Sequence, residues 1–125
     1  MVLVMKKEAF LKKFIEIIDS ITVRDHSGFA QDKIENELKK QNWLVVREHK
    51  VPDRGDGKRG RVDLMVLPPG LRVGIEIDNW VPIKKSIFKL KNNDFDVRII
   101  LLRGTCEHTY MEIEGIDLVK VLNVE

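Results

Sequence analysis

The chain predicts a single mixed α/β domain: a three-strand antiparallel meander, a crossover helix and a strand returning parallel to the meander's last member. Three observations lead there. Residues 60–78 alternate polar and apolar at period two on both sides of Pro68-Pro69-Gly70-Leu71, which reads as strand, turn, strand. Val97-Arg98-Ile99-Ile100-Leu101-Leu102 is almost wholly apolar or β-branched, as expected of a strand covered on both faces. Between them, Ile83, Ile87 and Leu90 fall on one side of a short helix that runs to about Asn92. A strand, a helix and a buried strand in that order imply a right-handed crossover and parallel pairing.

The other elements follow in order. Phe10, Phe14, Ile17 and Ile18, with Leu11 beside them, give an N-terminal helix from Met5 to about Ile18. Ser27 is placed to cap a second helix that reaches about Gln41, with Ile34 and Leu38 on its inner face. Trp43, Leu44, Val45 and Val46 begin the first strand, which runs to about Val51. A Gly-rich polar tip, residues 52–60, joins it to the next. Pro82 keeps the exit from the third strand extended. Beyond Thr105, the segments Tyr110–Ile113 and Leu118–Leu122 read equally as strands or as a terminal helix.

Composition narrows the function classes. A chain of 125 residues with 43% hydrophobic and 34% charged residues has the material for one folded domain over residues 1–125. Cys106 is the only cysteine, which excludes an internal disulfide and suits a cytoplasmic location. No stretch approaches the ~20 apolar residues of a membrane span. Net charge is only +2, so any nucleic-acid reading must rest on where the positive residues lie.

The strongest chemical signal is a pair of acids. If Leu67 and Arg72 close a four-residue loop, Asp63 stands directly opposite Glu76, with Asp78 just beyond. Val62, Leu64, Val66, Val73, Ile75 and Ile77 then share the other, core-facing side. Like charges across a strand pair cost from a few tenths to roughly 1 kcal/mol, which a divalent cation between them would offset. The plainer explanation is that the outer face of a hairpin is polar for solvation alone.

The segments Gly60-Arg61-Val62-Asp63 and Glu76-Ile77-Asp78 resemble the motif of the PD-(D/E)XK nucleases, a restriction-endonuclease-like superfamily. Its core has the order αβββαβ, similar here over roughly residues 27–103 with an extra N-terminal helix. The resemblance implies a metal-dependent endonuclease that hydrolyses DNA phosphodiester bonds. It also implies Asp63, Glu76 and the Ile77 carbonyl as metal ligands, with Glu35 of the second helix acting through water or at a second ion. Asp78 stands where the motif has lysine. Three outcomes stay open: Lys84 or Lys85 of the crossover helix supplies the charge, Asp78 acts as an extra ligand or general base, or activity is lost. In the last case the chain would be an inactive DNA-binding or interaction module on the same scaffold.

The chemistry suits Mg²⁺, with Mn²⁺ as a substitute, because a hard cation on one or two carboxylates keeps several waters and lowers their pKa. Basic residues flank the acids on both sides. Arg54, Lys58, Arg59 and Arg61 crowd the tip and the start of its strand, while Lys89 and Lys91 lie on the crossover helix. These would hold phosphates, although Lys89 and Lys91 serve equally to keep a helix face wet. A chain of this size suggests a homodimer or a subunit of a larger complex acting on DNA. His26, His49 and His108 show no zinc spacing, and Cys106 with His108 makes a poor nucleophile pair. Trp43 reads as core, and Trp80 as a cap on the sheet or a base-stacking ring.

Overall fold

The computed structural model describes residues 4–23, 27–104 and 112–124. Its elements are α1 (Lys7–Asp19), β1 (Thr22–Val23), α2 (Ser27–Lys39), β2 (Leu44–Val51), β3 (Gly60–Leu67), β4 (Val73–Asp78), α3 (Lys84–Lys91), β5 (Val97–Leu102), β6 (Leu118–Val121) and β7 (Asn123–Val124). Five strands form one sheet in the order β2-β3-β4-β5-β6, and β1 pairs with β7 in a separate two-stranded sheet. The β2–β3 and β3–β4 pairs are antiparallel, while β4–β5 and β5–β6 are parallel. The meander, crossover helix and parallel return are therefore present. Leu118–Leu122 resolves to strand β6 and the residue after it, and Glu112 and Ile113 belong to no strand or helix. The readings placed on His26, Cys106, His108 and Tyr110 lie outside the described residues.

Helices cover both faces of the sheet. On one side Phe10, Phe14, Ile17 and Ile18 of α1 and Ile34 and Leu38 of α2 pack on Leu64, Val66, Val73, Ile75, Ile77, Ile99 and Leu101. On the other, Leu90 of α3 and Phe95 pack on Val51, Val62, Met65, Ile100 and Leu102. The double cover explains the unbroken apolar run of β5, whose alternate side chains enter opposite clusters. Gly74 allows the close approach of the α3 layer, because a Cβ there would lie 2.9 Å from both Leu90 and Phe95 side-chain carbons.

The hairpin register agrees with the turn chemistry. Leu71 N–H donates to the Pro68 carbonyl at 3.1 Å, and Val66, Met65 and Leu64 pair with Val73, Gly74 and Ile75. Two expectations need correction. The face carrying Glu76 and Asp78 is not an outer face at all, since every residue of β4 is buried. Val62 does not share the side of Leu64; it packs with Met65 in the α3 cluster. The cause is a local break in alternation. Opposite Asp63, Glu48 of β2 takes φ +49, and the ladder skips that level, with Arg47↔Leu64 and His49↔Val62 on either side.

Candidate active site

The break in alternation shapes the site. The regular β3–β4 pairing stops at Leu64↔Ile75. Past that point the Ile77 N–H donates to Asp63 Oδ2 at 2.7 Å, so a carboxylate stands where the ladder's next acceptor would be. A strand residue directs its N–H and C=O to the same side. The Ile77 carbonyl therefore also faces the gap that Asp63 occupies. Gln31 of α2 braces the break from the other face, its side-chain amide donating to the Asp63 carbonyl at 3.1 Å and to Glu48 Oε1 at 3.4 Å.

Asp63 and Glu76 come together as the register requires, near enough that Asp63 raises the Glu76 pKa. Glu76 is only 2% exposed. Burial and the adjacent Asp63 push its pKa up to about 9, against the opposing pull of Lys89. A solvated outer face does not do this. The pair is a buried acid cluster in which the ionised form of Glu76 is disfavoured.

The positive partner is Lys89. Its Nζ lies 2.6 Å from Glu76 Oε1 and donates to the Arg61 carbonyl at 2.9 Å. Lys84 and Lys85, the lysines closest in sequence to the end of β4, are exposed, and neither makes an ion pair or hydrogen bond with the acids among the described contacts. Lys89 was legible only as a phosphate-binding or solvating residue. The missed signal is geometric: a crossover helix runs back along its strand, so residues farther along α3 come level with residues earlier in β4.

Asp78 has partners of its own. Its Oδ1 accepts the Ser86 hydroxyl at 2.7 Å and its Oδ2 accepts the Ile83 N–H at 3.0 Å. Burial raises its pKa and these two donors counter the rise. Asp78 thus fastens the start of α3 to the end of β4. The far end of α3 is fastened as well. Arg98 of β5 donates to the Leu90 and Asn93 carbonyls at 2.6 and 3.1 Å, and the Asn93 amide donates to the Lys89 and Asp53 carbonyls. Pinned at both ends, the helix holds Lys89 over Glu76.

Glu35 is buried, but its carboxylate faces Arg47 and Lys39, each at 3.4 Å. Among the described residues no three His, Cys, Asp or Glu side chains converge as a metal cage. Two carboxyl groups and the Ile77 main-chain carbonyl beside them still fit a hard cation of the Mg²⁺ kind, which takes few protein oxygens and keeps its waters.

Beside the acids lies a groove of about 460 Å³ between the 52–60 tip and α3. Arg54, Arg59, Arg61, Lys85 and Lys89 line it, with Asp56 and Phe88, and Lys50 joins Arg59 and Arg61 in a smaller adjoining hollow. Lys58 is exposed at the tip and lines neither. Arg54 is paired with Asp56 at 2.8 Å, which holds the Asp56 carboxyl at about 2. Trp80 is 58% exposed and does not cap the core. Among the described residues no helix is long and apolar enough to cross a membrane.

No family model matches the chain, and no curated protein does. A solved structure described as "Crystal Structure of Protein of Unknown Function AF1548" is similar, with a TM-score of 0.54 and 15% sequence identity. The match covers 74% of this chain and 56% of that one, so the chain spans little more than half of its neighbour's length. At that identity the likeness concerns the fold alone: a mixed α/β architecture with a five-strand mixed sheet and, among the described residues, three helices.

Proposed function

We propose that this chain is a metal-dependent endonuclease of the PD-(D/E)XK type, hydrolysing DNA phosphodiester bonds at the Asp63–Glu76 pair. The observation that carries the reading is the contact set itself: two carboxyl groups meet in a buried gap of the hairpin with the Lys89 ammonium 2.6 Å from one of them. Mutually close ionisable groups with a shifted pKa in a buried gap are what functional sites gather, which supports a chemical use.

Asp63, Glu76 and the Ile77 carbonyl would hold Mg²⁺, or Mn²⁺ in its place. The bound cation would supply a water of lowered pKa and a counter-charge to the phosphoryl oxygens. The chain's own groups do the rest. Glu76 would have to give up its proton to ligate the cation, because a ligating carboxylate must be ionised. Lys89 takes the place of the motif lysine that Asp78 lacks; its ammonium can orient the attacking water and offset charge that develops on the phosphate. Asp78 acts through α3 as a positioning residue. The Arg59, Arg61 and Lys85 side chains stand where the substrate backbone would pass.

Nicking of supercoiled plasmid tests the proposal. Wild-type protein is expected to relax the plasmid with Mg²⁺ or Mn²⁺ and to be silent in EDTA. Lys84→Ala is expected to keep its rate within about threefold, as an exposed substitution remote from the reacting groups. DNA retained with metal but never cut would identify an inactive binding module instead.

A further inference from the structure

The groove beside the acid pair combines two things that duplex binding does not need together. Among the described residues its walls are cationic, five basic side chains against the single carboxylate of Asp56. Its lining also includes an aromatic ring, Phe88, that is 47% exposed although it sits on a helix with an apolar inner face. The tip is shaped around this ring. Gly55 has φ +114, and a Cβ there would fall 2.6 Å from the Phe88 Cβ and 3.2 Å from its ring, so the loop leans on the aromatic side chain only because residue 55 is glycine. Phe88 and Lys89 are neighbours on α3, and Lys89 belongs both to the groove and to the acid pair. Whatever stacks on Phe88 therefore lies next to the reacting centre.

From this arrangement we infer that the groove receives an unpaired nucleotide, its base stacked on Phe88 and its phosphates against Arg59, Arg61 and Lys85, so that the substrate is single-stranded or flapped DNA. The inference rests on the proposed nuclease reading and specifies its substrate. A duplex offers base edges in its grooves and keeps base faces stacked; an aromatic ring among cations is the pairing used to hold single strands. The groove's size, about 460 Å³, falls in the range of a pocket for one small ligand rather than a channel for a double helix.

Fluorescence anisotropy of wild-type protein in EDTA, where no cleavage interferes, tests this with oligonucleotides of one sequence in single-stranded, flapped and blunt duplex form. A 2-aminopurine base reports stacking by its quenching. Single-stranded and flapped DNA are expected to bind at least tenfold more tightly than blunt duplex. Phe88→Ala is expected to weaken them by roughly 5- to 100-fold and to abolish the quenching, while duplex binding is unchanged. Phe88→Leu retains apolar volume without a ring; it should melt like the wild type and still lose the quenching. Equal affinity for all three forms, or quenching that survives both substitutions, overturns the inference. The two ideas fail separately: Mg²⁺-dependent nicking without strand preference overturns only the substrate assignment. Single-strand preference lost in Phe88→Ala, in a protein that never cuts, supports the groove while removing the nuclease.

Discussion

Replacing Lys89 by methionine is expected to lower the rate of Mg²⁺-dependent cleavage by about 100-fold or more, the usual cost of removing one preorganised charge from a phosphoryl-transfer site. Methionine keeps an aliphatic stem of similar length while deleting the ammonium, so the fold should survive. The lost hydrogen bond to the Arg61 carbonyl costs on the order of 1 kcal/mol. Single-turnover cleavage beside a thermal melt checks both parts. A Lys89→Met protein as active as wild type, with Lys84→Ala inactive, would assign the lysine role to the start of the helix and reject the present site.

Glu76→Gln should abolish cleavage and yet make the protein more stable in neutral and alkaline solution. In the unfolded chain Glu76 ionises near its ordinary 4.5; in the fold, burial and Asp63 hold it at about 9. Between those values the folded chain binds a proton that the unfolded chain has released. Stability therefore falls as pH rises through this window and levels off above it. Glutamine fills the same space without that proton. The variant should match the wild type near pH 5 and exceed it by on the order of 4 kcal/mol near pH 8, a gain measurable by urea denaturation at the two pH values. A variant less stable at pH 8 would mean that Glu76 is ionised there and favourably paired with Lys89. Such a trade of stability for a charged site is common where activity needs an unfavourable group.

Much of this architecture was legible because the signals are local. The period-two alternation of residues 60–78 and the Pro68–Leu71 turn set the hairpin register, and hence which acids meet. The unbroken run of 97–102 announced a strand covered on both faces. What local patterns could not carry was the cover itself. Alternation says that Glu76 and Asp78 leave one face of the sheet, but not that α3 then lies on them, which turns a solvated face into a buried one. The same gap hid the contact between Lys89 and Glu76. Lys84 is closer in sequence, yet α3 runs back over β4. From Ser86 to Lys89 the helix advances roughly 4.5 Å, and from Asp78 to Glu76 the strand retreats roughly 6.6 Å. The long lysine side chain closes the difference. Contact of Asp78 with Ser86 and of Glu76 with Lys89 is one geometric fact seen twice. The shift of Val62 to the α3 cluster had no sequence signal, because it depends on the unusual φ of Glu48 across the ladder.

The claim on which the account depends is that Asp63 and Glu76 form one cation site whose occupation expels a proton. Calorimetric titration with Mn²⁺ at pH 7, repeated in two buffers of different ionisation enthalpy, reads both quantities at once. The predicted result is saturable binding to wild type with about one proton released per ion, affinity rising as pH is raised toward 9, and no binding by Asp63→Asn. Binding that releases no proton, or that is unchanged in Asp63→Asn, would contradict it, as would the absence of any binding to the wild type.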